Sequence, residues 1–596
     1  MHACETMGAT TIICTDKTGT LTQNRMQVWE AQFYGLRDKC QLAADDVESR
    51  IISEAISCNS TAFLDCSNPE KPVALGNPTE GALLLWLRDA GCDYLEIRDQ
   101  CEVLAQVPFS TERKYMATAV RSKELGCNVL YVKGAPEIVY GLCNSTTGDV
   151  AEAEIKASLA GYQTKAMRTL GFARQLLAEG EMPIIDGKLQ QCDLRFTGIV
   201  AISDPVREDV PDAISDCIEA GIKVKIVTGD TPGTAREIGR QVGLWTDDDS
   251  DDRIITGPEF AALSDDEAAK RALAIKIMSR ARPGDKSRLV NLLQQQDEVV
   301  AVTGDGTNDA PALNAAQVGL SMGDGTSVAK EASDITIMDN SFTSITKAVM
   351  WGRSLYQNIQ RFILFQLTVN VVACVIVGIG AFMSYQSPLT VTQMLWVNLI
   401  MDTFAALALA SLPPSEEVMA HKPRRRTDFI VSRRMMCFIG GIGIGFTLFL
   451  FGMMQYLKQC HIASLAEFSL SGYISTFFDF HYAPSDEISL YDHTIFFTVF
   501  VFLQFWNLFN AKSFASGHSA FWKLGESKVF FTTLLMIFVG QILIVEFGGQ
   551  MFSVHEGGLK FSDWVAIVAG TSPVLLIGEL VHAFDRRRSR HRAQIH

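Results

Sequence analysis

The chain has 596 residues, of which 48% are hydrophobic and 20% are charged, and its formal net charge is −15. This acidic balance argues against nucleic acid as a partner. The 14 cysteines include no C-x-x-C pair, which favours reduced thiols over a disulfide framework or a zinc site. Near residue 345 the composition changes from that of a soluble α/β protein to long apolar stretches, and the total length predicts several domains.

The first predicted element is a buried strand, "TTIICT", which ends in the polar loop "DKTGTLT". Two later segments, "IKVKIVTGDT" and "EVVAVTGDGTNDAPAL", repeat this pattern of an apolar strand followed by a polar loop. Strands that alternate with helical segments predict a parallel, Rossmann-like sheet, and ligand groups concentrate at the carboxyl ends of such strands. The residues that we expect at these strand ends are Asp16, Thr228, Gly229, Asp230, Asp305, Asn308 and Asp309.

The helical segment between the last two of these strands, "SRARPGDKSRLV", places Lys286 at its start. A carboxylate such as that of Asp16 can act as a nucleophile and form an aspartyl phosphate. Asp16 and Asp305 could together hold one Mg²⁺, which binds through one or two carboxylates plus phosphate. Lys286 would supply a positive charge to the phosphoryl group, and Thr228 a hydroxyl donor. No G-x-x-x-x-G-K-[ST] segment occurs, which argues against a P-loop nucleotide triphosphatase.

Six apolar segments follow, each near the length of about twenty residues that a helix needs to cross a bilayer. They lie at roughly 361–383, 389–411, 434–457, 494–511, 529–550 and 562–584. Basic loops alternate along the chain with loops that carry few or no basic residues. By the positive-inside rule, this alternation predicts that the soluble domains and the C-terminus lie in the cytoplasm. We expect an integral protein of a plasma or inner membrane.

Polar side chains occur inside the first two of these segments, at Asn370, Asn398 and Asp402. Asn398 and Asp402 are four residues apart, so a regular helix would present them on one face. An ionisable residue at membrane depth suggests a functional site, and oxygen ligands of this kind suit a hard cation such as Ca²⁺. The alternative is an interhelical hydrogen bond, which suits Asn370. Three polar residues of the fourth segment are weaker candidates for such ligands, and we favour packing or helix contacts for them: Gln504, Trp506 and Asn507.

Three motifs together resemble the P-type ATPases, cation pumps of the haloacid dehalogenase superfamily. They are D-K-T-G-T-L-T beginning at Asp16, T-G-D at 228–230 and T-G-D-G-T-N-D at 303–309. The resemblance implies a multidomain α/β and membrane protein, with a Rossmann-like phosphorylation domain, an inserted α+β nucleotide-binding domain and a six-helix transmembrane bundle. The implied boundaries are 1–28 and 204–345 for the phosphorylation domain, 29–203 for the insertion and 346–596 for the transmembrane domain.

The resemblance also implies roles for residues near the predicted nucleophile. Asp16 would be phosphorylated by ATP, the backbone carbonyl of Thr18 would help to ligate Mg²⁺, and Asn308 and Asp309 would complete the site around Asp305. Phosphatases of the superfamily have a second acid two residues after the nucleophile, where this chain has Thr18. Without that acid the acyl phosphate would last long enough to drive a conformational change.

Four segments of the insertion resemble the nucleotide-binding domain of the same family: "GNPTEGALL", "PFSTERKYM", "VKGAPE" and "MRTLGFA". Phe109 would stack on adenine, and the cations would hold the phosphates. Thr111 replaces an arginine that is usual in the family, which puts one nucleotide contact in doubt. The implied nucleotide-binding residues are Glu80, Phe109, Lys114, Lys133, Gly134, Arg168, Arg280 and Asn308, and "DPVR", with Asp204 and Arg207, would form the hinge back to the phosphorylation domain.

The membrane segments "LTVNVVA" and "MLWVNLIMDTFAALALA" resemble the plasma-membrane type of Ca²⁺ pump, as does "ACETMG" before Asp16. Reticulum-type pumps carry an acid where this chain has Ala373, so the resemblance implies a single Ca²⁺ site built from Asn370, Asn398 and Asp402. ATP would be the substrate, Mg²⁺ the cofactor and Ca²⁺ the transported ion.

A complete pump of this family has an actuator domain with a T-G-E motif and four membrane helices before its phosphorylated aspartate, and T-G-E occurs nowhere in this sequence. We therefore expect a chain that begins inside the phosphorylation domain, that binds ATP but does not complete transport alone, and that has a missing N-terminal segment or a full-length pump as a possible partner. The alternatives are a pump of another cation, a membrane-bound phosphohydrolase of the dehalogenase type, and a non-catalytic pump fragment.

Overall fold

The computed structural model describes residues 2–36, 41–43, 46–68, 72–148, 150–165, 167–178, 180–185, 187–190, 192–382, 387–425, 428–460, 462, 464–480, 488–516, 518–522 and 527–580. The chain forms two compact units. One comprises Thr10–Thr346, and the other comprises Met1–Ala9 together with Lys347–His596. The last four residues of the sixth predicted membrane segment, 581–584, and the basic C-terminal tail lie outside the described residues.

The strands of the described residues all belong to the first unit. In chain order they are β1 (Ile12–Thr15), β2 (Gln27–Phe33), β3 (Phe63–Asp65), β4 (Val73–Leu75), β5 (Glu102–Val107), β6 (Tyr115–Arg121), β7 (Asn128–Gly134), β8 (Cys143–Thr146), β9 (Arg168–Leu177), β10 (Ile184–Ile185), β11 (Lys188–Leu189), β12 (Leu194–Ser203), β13 (Lys223–Val227), β14 (Ile254–Thr256), β15 (Ile277–Ser279), β16 (Val300–Gly304), β17 (Val318–Met322) and β18 (Ile335–Ile337).

The helices occur in both units. In chain order they are α1 (His2–Gly8), α2 (Val47–Cys58), α3 (Pro78–Asp89), α4 (Tyr94–Gln100), α5 (Pro136–Gly141), α6 (Glu152–Thr164), α7 (Val210–Glu219), α8 (Pro232–Gln241), α9 (Gly257–Ala262), α10 (Asp265–Ala274), α11 (Pro283–Gln294), α12 (Ala310–Ala315), α13 (Ser327–Glu331), α14 (Phe342–Phe382), α15 (Val391–Leu395), α16 (Asp402–Ala410), α17 (Arg433–Cys460), α18 (Leu470–Thr476), α19 (Leu490–Ser513), α20 (Lys528–Phe547), α21 (Gly549–Phe552) and α22 (Phe561–Thr571).

A seven-stranded parallel sheet, in the order β14-β15-β13-β1-β16-β17-β18, confirms the predicted Rossmann-like fold. The apolar β1 is fully buried because it lies between two parallel neighbours, with Ile12 opposite Lys223 on one side and Val300 on the other. Parallel strands of this kind are covered on both faces and are therefore apolar along their whole length. The carboxyl ends of β1, β13 and β16 consequently meet at one edge of the sheet.

A second, mostly antiparallel sheet, in the order β2-β12-β9-β7-β6-β5, is built from the chain between β1 and β13. The chain enters and leaves this sheet at adjacent positions, because Thr22 forms an antiparallel bridge with Val206. Arg207 strengthens this crossing by donating from Nη2 to the carbonyl of Gly19 and from Nε to the carbonyl of Thr22. Asp204 accepts hydrogen bonds from the Thr22 hydroxyl at 2.6 Å and from a backbone amide at 3.1 Å.

Six helical spans of the described residues are long and apolar enough to cross a membrane: Phe342–Phe382, Val391–Ala410, Arg433–Cys460, Leu490–Ser513, Lys528–Phe547 and Phe561–Leu580. They belong to the second unit from Lys347 onward. Each overlaps one of the six predicted segments, so the prediction of six spans is confirmed. The fourth span, α19, is the most deeply buried of them and is surrounded by apolar side chains of the others. The protein is therefore an integral membrane protein.

The short N-terminal helix α1 packs against α14 within the same unit. Gly8 and Gly352 lie so close that a Cβ atom added to either one would overlap the backbone of the opposite helix. Glu5 of α1 forms an ion pair with Arg424, whose guanidinium carbon also lies 4.0 Å from the centre of the Tyr356 ring. Two glycines and one ion pair thus hold α1 in place.

Candidate functional site

The predicted nucleophile Asp16 lies at the end of β1, where its amide donates to the carbonyl of Thr303 on β16. Lys286 stands in the first turn of α11, which begins with Pro283 and is capped by Asp285 accepting from the amide of Arg282. The ammonium of Lys286 is 2.9 Å from Asp16 Oδ1 and 2.6 Å from Asp309 Oδ1. Folding therefore brings together three charged groups that are separated by up to 293 residues in the sequence.

A cluster of three carboxylates, from Asp16, Asp305 and Asp309, has ligand oxygens within 4.8 Å of one another. Burial raises the pKa of the Asp16 carboxyl, although the Lys286 ammonium opposes that rise. Burial and the charges of Asp16 and Asp309 raise the pKa of Asp305 to about 6. Three carboxylates facing one ammonium leave a net negative charge, and such a donor set fits Mg²⁺.

The loop after Asp16 approaches Asp305 closely, and this approach requires a glycine. Gly19 has φ +72°, and a Cβ atom at this position would overlap the Asp305 carboxylate. The neighbouring strands are tied together behind the loop by a hydrogen bond of 2.9 Å from the Thr303 hydroxyl to the Thr15 hydroxyl. Thr18 is half-buried in the same loop. The D-K-T-G-T segment thus folds as a tight loop that lies against the carboxylate cluster.

The predicted Thr228–Asp230 segment follows β13 at the same edge of the sheet. The Thr228 hydroxyl is buried and accepts a hydrogen bond of 3.2 Å from the amide of Asp230. The Asp230 carboxylate forms an ion pair of 2.6 Å with Lys17, the residue that follows Asp16. Arg280 is exposed, and its amide donates to the Asp230 carbonyl, so its backbone rather than its guanidinium supports this loop.

Two of the predicted nucleotide-binding residues pair with each other. Lys133 and Glu80 are both buried, and their charged groups are 2.8 Å apart. Glu80 also accepts from the amide and the hydroxyl of Thr61. Burial lowers the pKa of Lys133. Gly134 is needed for packing, because a Cβ there would overlap the backbone at Lys114 and Tyr115. This geometry gives Lys133, Glu80 and Gly134 a structural part within the insertion.

Four other predicted nucleotide-binding side chains are also exposed: Phe109, with 54% of its surface exposed, Lys114, Arg168 and Asn308. Arg168 lines a cleft of about 360 Å³ together with Lys17, Trp29 and Asp230. Trp29 was missed by the sequence interpretation, since a lone aromatic residue at the start of a strand carries no distinctive pattern. The cleft joins the second sheet to the loop that carries the charged cluster.

The predicted cation ligands of the membrane unit differ in exposure. Asp402 is buried, Asn370 is half-buried and Asn398 is exposed. A π-helical turn over Trp396–Met401 includes Asn398 and ends directly before Asp402, so the regular helix expected here is locally rewound. π-Helical turns inside membrane or soluble helices are frequent at functional sites. Neither carboxylate oxygen of Asp402 has a hydrogen-bond partner among the described residues.

Two polar residues of α19 also have buried polar atoms without a hydrogen-bond partner among the described residues. All side-chain nitrogen and oxygen atoms of Gln504 and Asn507 are buried and have no hydrogen-bond partner in the described parts of the chain. The packing interpretation fits Trp506, whose indole donates to the Thr571 hydroxyl at 3.0 Å. It accounts less well for Gln504 and Asn507, because unpaired buried polar atoms are costly in a membrane.

Three family models match the chain. Residues 48–209 match the cytoplasmic domain N of P-type ATPases, residues 286–349 match a haloacid dehalogenase-like hydrolase, and residues 386–584 match the C-terminus of cation-transporting ATPases. The first match falls on the second sheet, the second covers Lys286 and the carboxylates after β16, and the third covers five of the six membrane spans.

Curated relatives are similar over nearly the whole chain. Calcium-transporting ATPase PAT1 of Dictyostelium discoideum is 36% identical over 98% of this chain and 54% of its own length. Plasma membrane calcium-transporting ATPase 4 of Bos taurus is 38% identical over 95% of this chain and 48% of its own length. The chain thus spans about half the length of the curated relatives it matches. The charged cluster, the family models and this similarity together show that the chain belongs to the P-type ATPases.

Proposed function

We propose that this chain carries the phosphorylation site, the nucleotide-binding domain and part of the ion site of an ATP-driven Ca²⁺ pump. The observation that supports this proposal most strongly is the contact of Lys286 with Asp16 and Asp309 beside Asp305. An activated carboxylate at the edge of a parallel sheet, next to a fixed cation and a cluster of acids, suits phosphoryl transfer. The names of the curated relatives supply Ca²⁺ as the transported ion.

In the proposed reaction, a carboxylate oxygen of Asp16 attacks the γ-phosphorus of ATP. The new O–P bond forms as the bond to the β–γ bridging oxygen breaks, and ADP leaves with the released electron pair. Lys286 neutralises charge on the transferred group, and the Thr228 hydroxyl, which follows the strand β13 next to β1, donates a hydrogen bond to it. Mg²⁺, held by Asp16, Asp305 and Asp309, would neutralise the phosphate oxygens when bound.

The acyl phosphate then needs protection from water. Thr18, two residues after Asp16, has no carboxylate that could take a proton from an attacking water molecule. We therefore infer a phosphoenzyme that persists, as a pump requires and as a phosphatase does not. Exposure of Phe109 and Arg168 supports their assignment to ATP, whereas the buried Lys133–Glu80 pair shapes the domain that presents them.

For the ion site we propose Asp402 as the charged ligand, with Asn370 and Asn398 as neutral oxygen donors. The two unpartnered carboxylate oxygens of Asp402 support this assignment, because a buried carboxylate without a hydrogen bond or a cation is strongly disfavoured. Ca²⁺ accepts oxygen ligands in a flexible geometry. This suits ligands on a helix that contains a π-helical turn, as at Trp396–Met401.

The test is incubation of the purified chain with γ-labelled ATP, Mg²⁺ and Ca²⁺, followed by acid quench. We expect an acid-stable label that hydroxylamine removes, and we expect Asp16→Asn to abolish it. The same label in the Asn variant would refute phosphorylation at Asp16. Calcium binding is tested separately by equilibrium measurements with radioactive Ca²⁺. Asp402→Asn should weaken Ca²⁺ binding and leave Asp16 itself unchanged. Unchanged Ca²⁺ binding would refute the assignment of Asp402.

A further inference from the structure

The segment between α17 and α19 contains a short helix that is not one of the six spans. Its described part, residues 464–480, includes α18, and no charged residue occurs from Phe468 to Phe478. The loop that precedes α17, between α16 and α17, is strongly basic, and the positive-inside rule therefore places it in the cytoplasm. Segment 464–480 follows the other end of α17, so it lies on the opposite side of the membrane.

One face of α18 packs tightly on α17. The Tyr473 hydroxyl donates to the Phe449 carbonyl at 3.0 Å, and the Phe477 ring lies edge-on to the Phe451 ring with centroids 5.5 Å apart. Gly452 makes this approach possible, since a Cβ there would overlap the Tyr473 ring. Nearer the end of α17, the Tyr456 hydroxyl accepts from the amide of Ser469 at 3.0 Å.

These contacts place α18 at membrane depth. The 28 residues of α17 form a helix about 42 Å long at about 1.5 Å per residue, whereas the hydrocarbon core is about 30 Å thick. The helix therefore extends roughly 6 Å beyond the core at each end. Phe449 precedes the last residue, Cys460, by a distance of about 16 Å along the axis, so the carbonyl that holds Tyr473 lies inside the hydrocarbon region.

Exposed apolar side chains form a stripe along α18 and the turn after it. Leu470, Ile474 and Phe478 are exposed by 66%, 63% and 79% of their surfaces. Leu470 and Ile474 are four residues apart on one side of α18, and Phe478 lies in the turn that follows the last helical residue, Thr476. α17 also exposes apolar side chains at the residue that Tyr473 contacts, since Leu448 and Phe449 are 51% and 37% exposed. Such a surface is unfavourable in water and favourable against lipid.

We propose that segment 464–480 is a re-entrant lipid anchor, in which the stripe of Leu470, Ile474 and Phe478 packs on acyl chains of the non-cytoplasmic leaflet. The depth of the Tyr473 contact, the absence of charge from Phe468 to Phe478 and the exposed apolar side chains of α17 at that contact all support lipid as the occupant. The tyrosines and phenylalanines that surround α18 have the amphipathic or apolar rings that are enriched at membrane interfaces.

The test uses the full chain reconstituted in phospholipid vesicles. A solvatochromic amino acid is introduced at position 474 in one variant and at position 478 in a second. The matched control carries it at Glu556, an exposed residue of the loop before α22 on the same side of the membrane. Quenching is measured with phospholipids that carry a nitroxide on the headgroup, near the top of the acyl chain or near its end, and with aqueous iodide.

We expect blue-shifted emission at 474 and 478, with the greatest loss of fluorescence for the nitroxide near the top of the acyl chain. Position 556 should be quenched by iodide and remain red-shifted. Emission and iodide quenching at 474 and 478 that match those at 556 would overturn the proposal. Blue-shifted emission without quenching by any lipid nitroxide would also overturn it, because the stripe would then be covered by protein, such as a second copy of this chain.

Discussion

At the scale of single residues, Lys286 is the cation that contacts the carboxylate cluster. Its ammonium contacts two carboxylates, and their charges raise its pKa above the ordinary lysine value even though burial acts in the opposite direction. Lys286 therefore stays protonated throughout the range in which the enzyme would work. It can act as a fixed charge and not as a general base.

We expect Lys286→Met to slow phosphorylation of Asp16 by about 10²–10³-fold, the usual effect of removing one donor that stabilises charge in the transition state. The measurement is the initial rate of hydroxylamine-sensitive labelling. Arg288→Met is the control on the same helix, since Arg288 lies outside the cluster, where it pairs with Asp265 and donates to the carbonyls of Phe260 and Leu263. Equal effects of the two substitutions would contradict the assigned role of Lys286.

The raised pKa of Asp305, about 6, predicts a pH dependence. An aspartate in the unfolded chain has a pKa of about 3.9. Between this pKa and the higher pKa of the folded state, Asp305 binds more protons in the folded than in the unfolded chain. The stability of the protein without Mg²⁺ therefore falls as the pH rises between these two values. Mg²⁺ needs the ionised carboxylate. We therefore expect Mg²⁺ to raise Tm more at about pH 7.5 than at about pH 5.5.

Differential scanning fluorimetry at the two pH values, with Mg²⁺ or a chelator, measures this difference. Asp305→Asn should remove most of the Mg²⁺-induced rise at both pH values. A rise that is the same at both pH values in the unsubstituted protein would show that Asp305 does not titrate as a ligand.

At the scale of elements, the contact between α1 and α14 depends on two glycines. Gly352→Ala should destabilise the membrane unit by about 1–3 kcal/mol, because overpacked contacts cost this much. Gly378→Ala is the control on the same helix, as a Cβ there meets no atom within 4 Å, and it should be neutral. The measurement is thermal unfolding in detergent. Equal Tm values for the two variants would show that α1 can move away at no cost.

Sequence patterns predicted the elements with strong periodicity and missed those set by tertiary contacts. The parallel sheet and the six spans follow from long apolar runs and strand-end motifs. The π-helical turn at Trp396–Met401 has no local signal, because winding depends on neighbouring helices. Likewise, Lys133 and Glu80 are 53 residues apart in the sequence, and only the folded insertion shows that they neutralise each other. The roles of single nucleotide-binding and cation-binding residues stay predictions.

At the scale of the whole molecule, the unit Thr10–Thr346 contains its own hydrophobic cores on both sheets. We expect residues 10–346 to fold as a soluble fragment, because β1 supplies the central strand of the parallel sheet. A fragment that begins at residue 29 should fail, since it lacks that strand. Size-exclusion chromatography and cooperative unfolding by circular dichroism test this. Aggregation of both fragments would mean that the unit depends on the membrane part for folding.

The bridge between Thr22 and Val206 has a consequence for how such a chain can change its length. The insertion begins and ends at this one bridge. The two points at which it is joined to the parallel sheet therefore stay close together whatever its length or fold. The entropy cost of closing a loop grows only slowly with its length. A short turn in place of the insertion should therefore leave a small domain with the carboxylate cluster intact, and a different binding module grafted there would inherit the same attachment to Asp16.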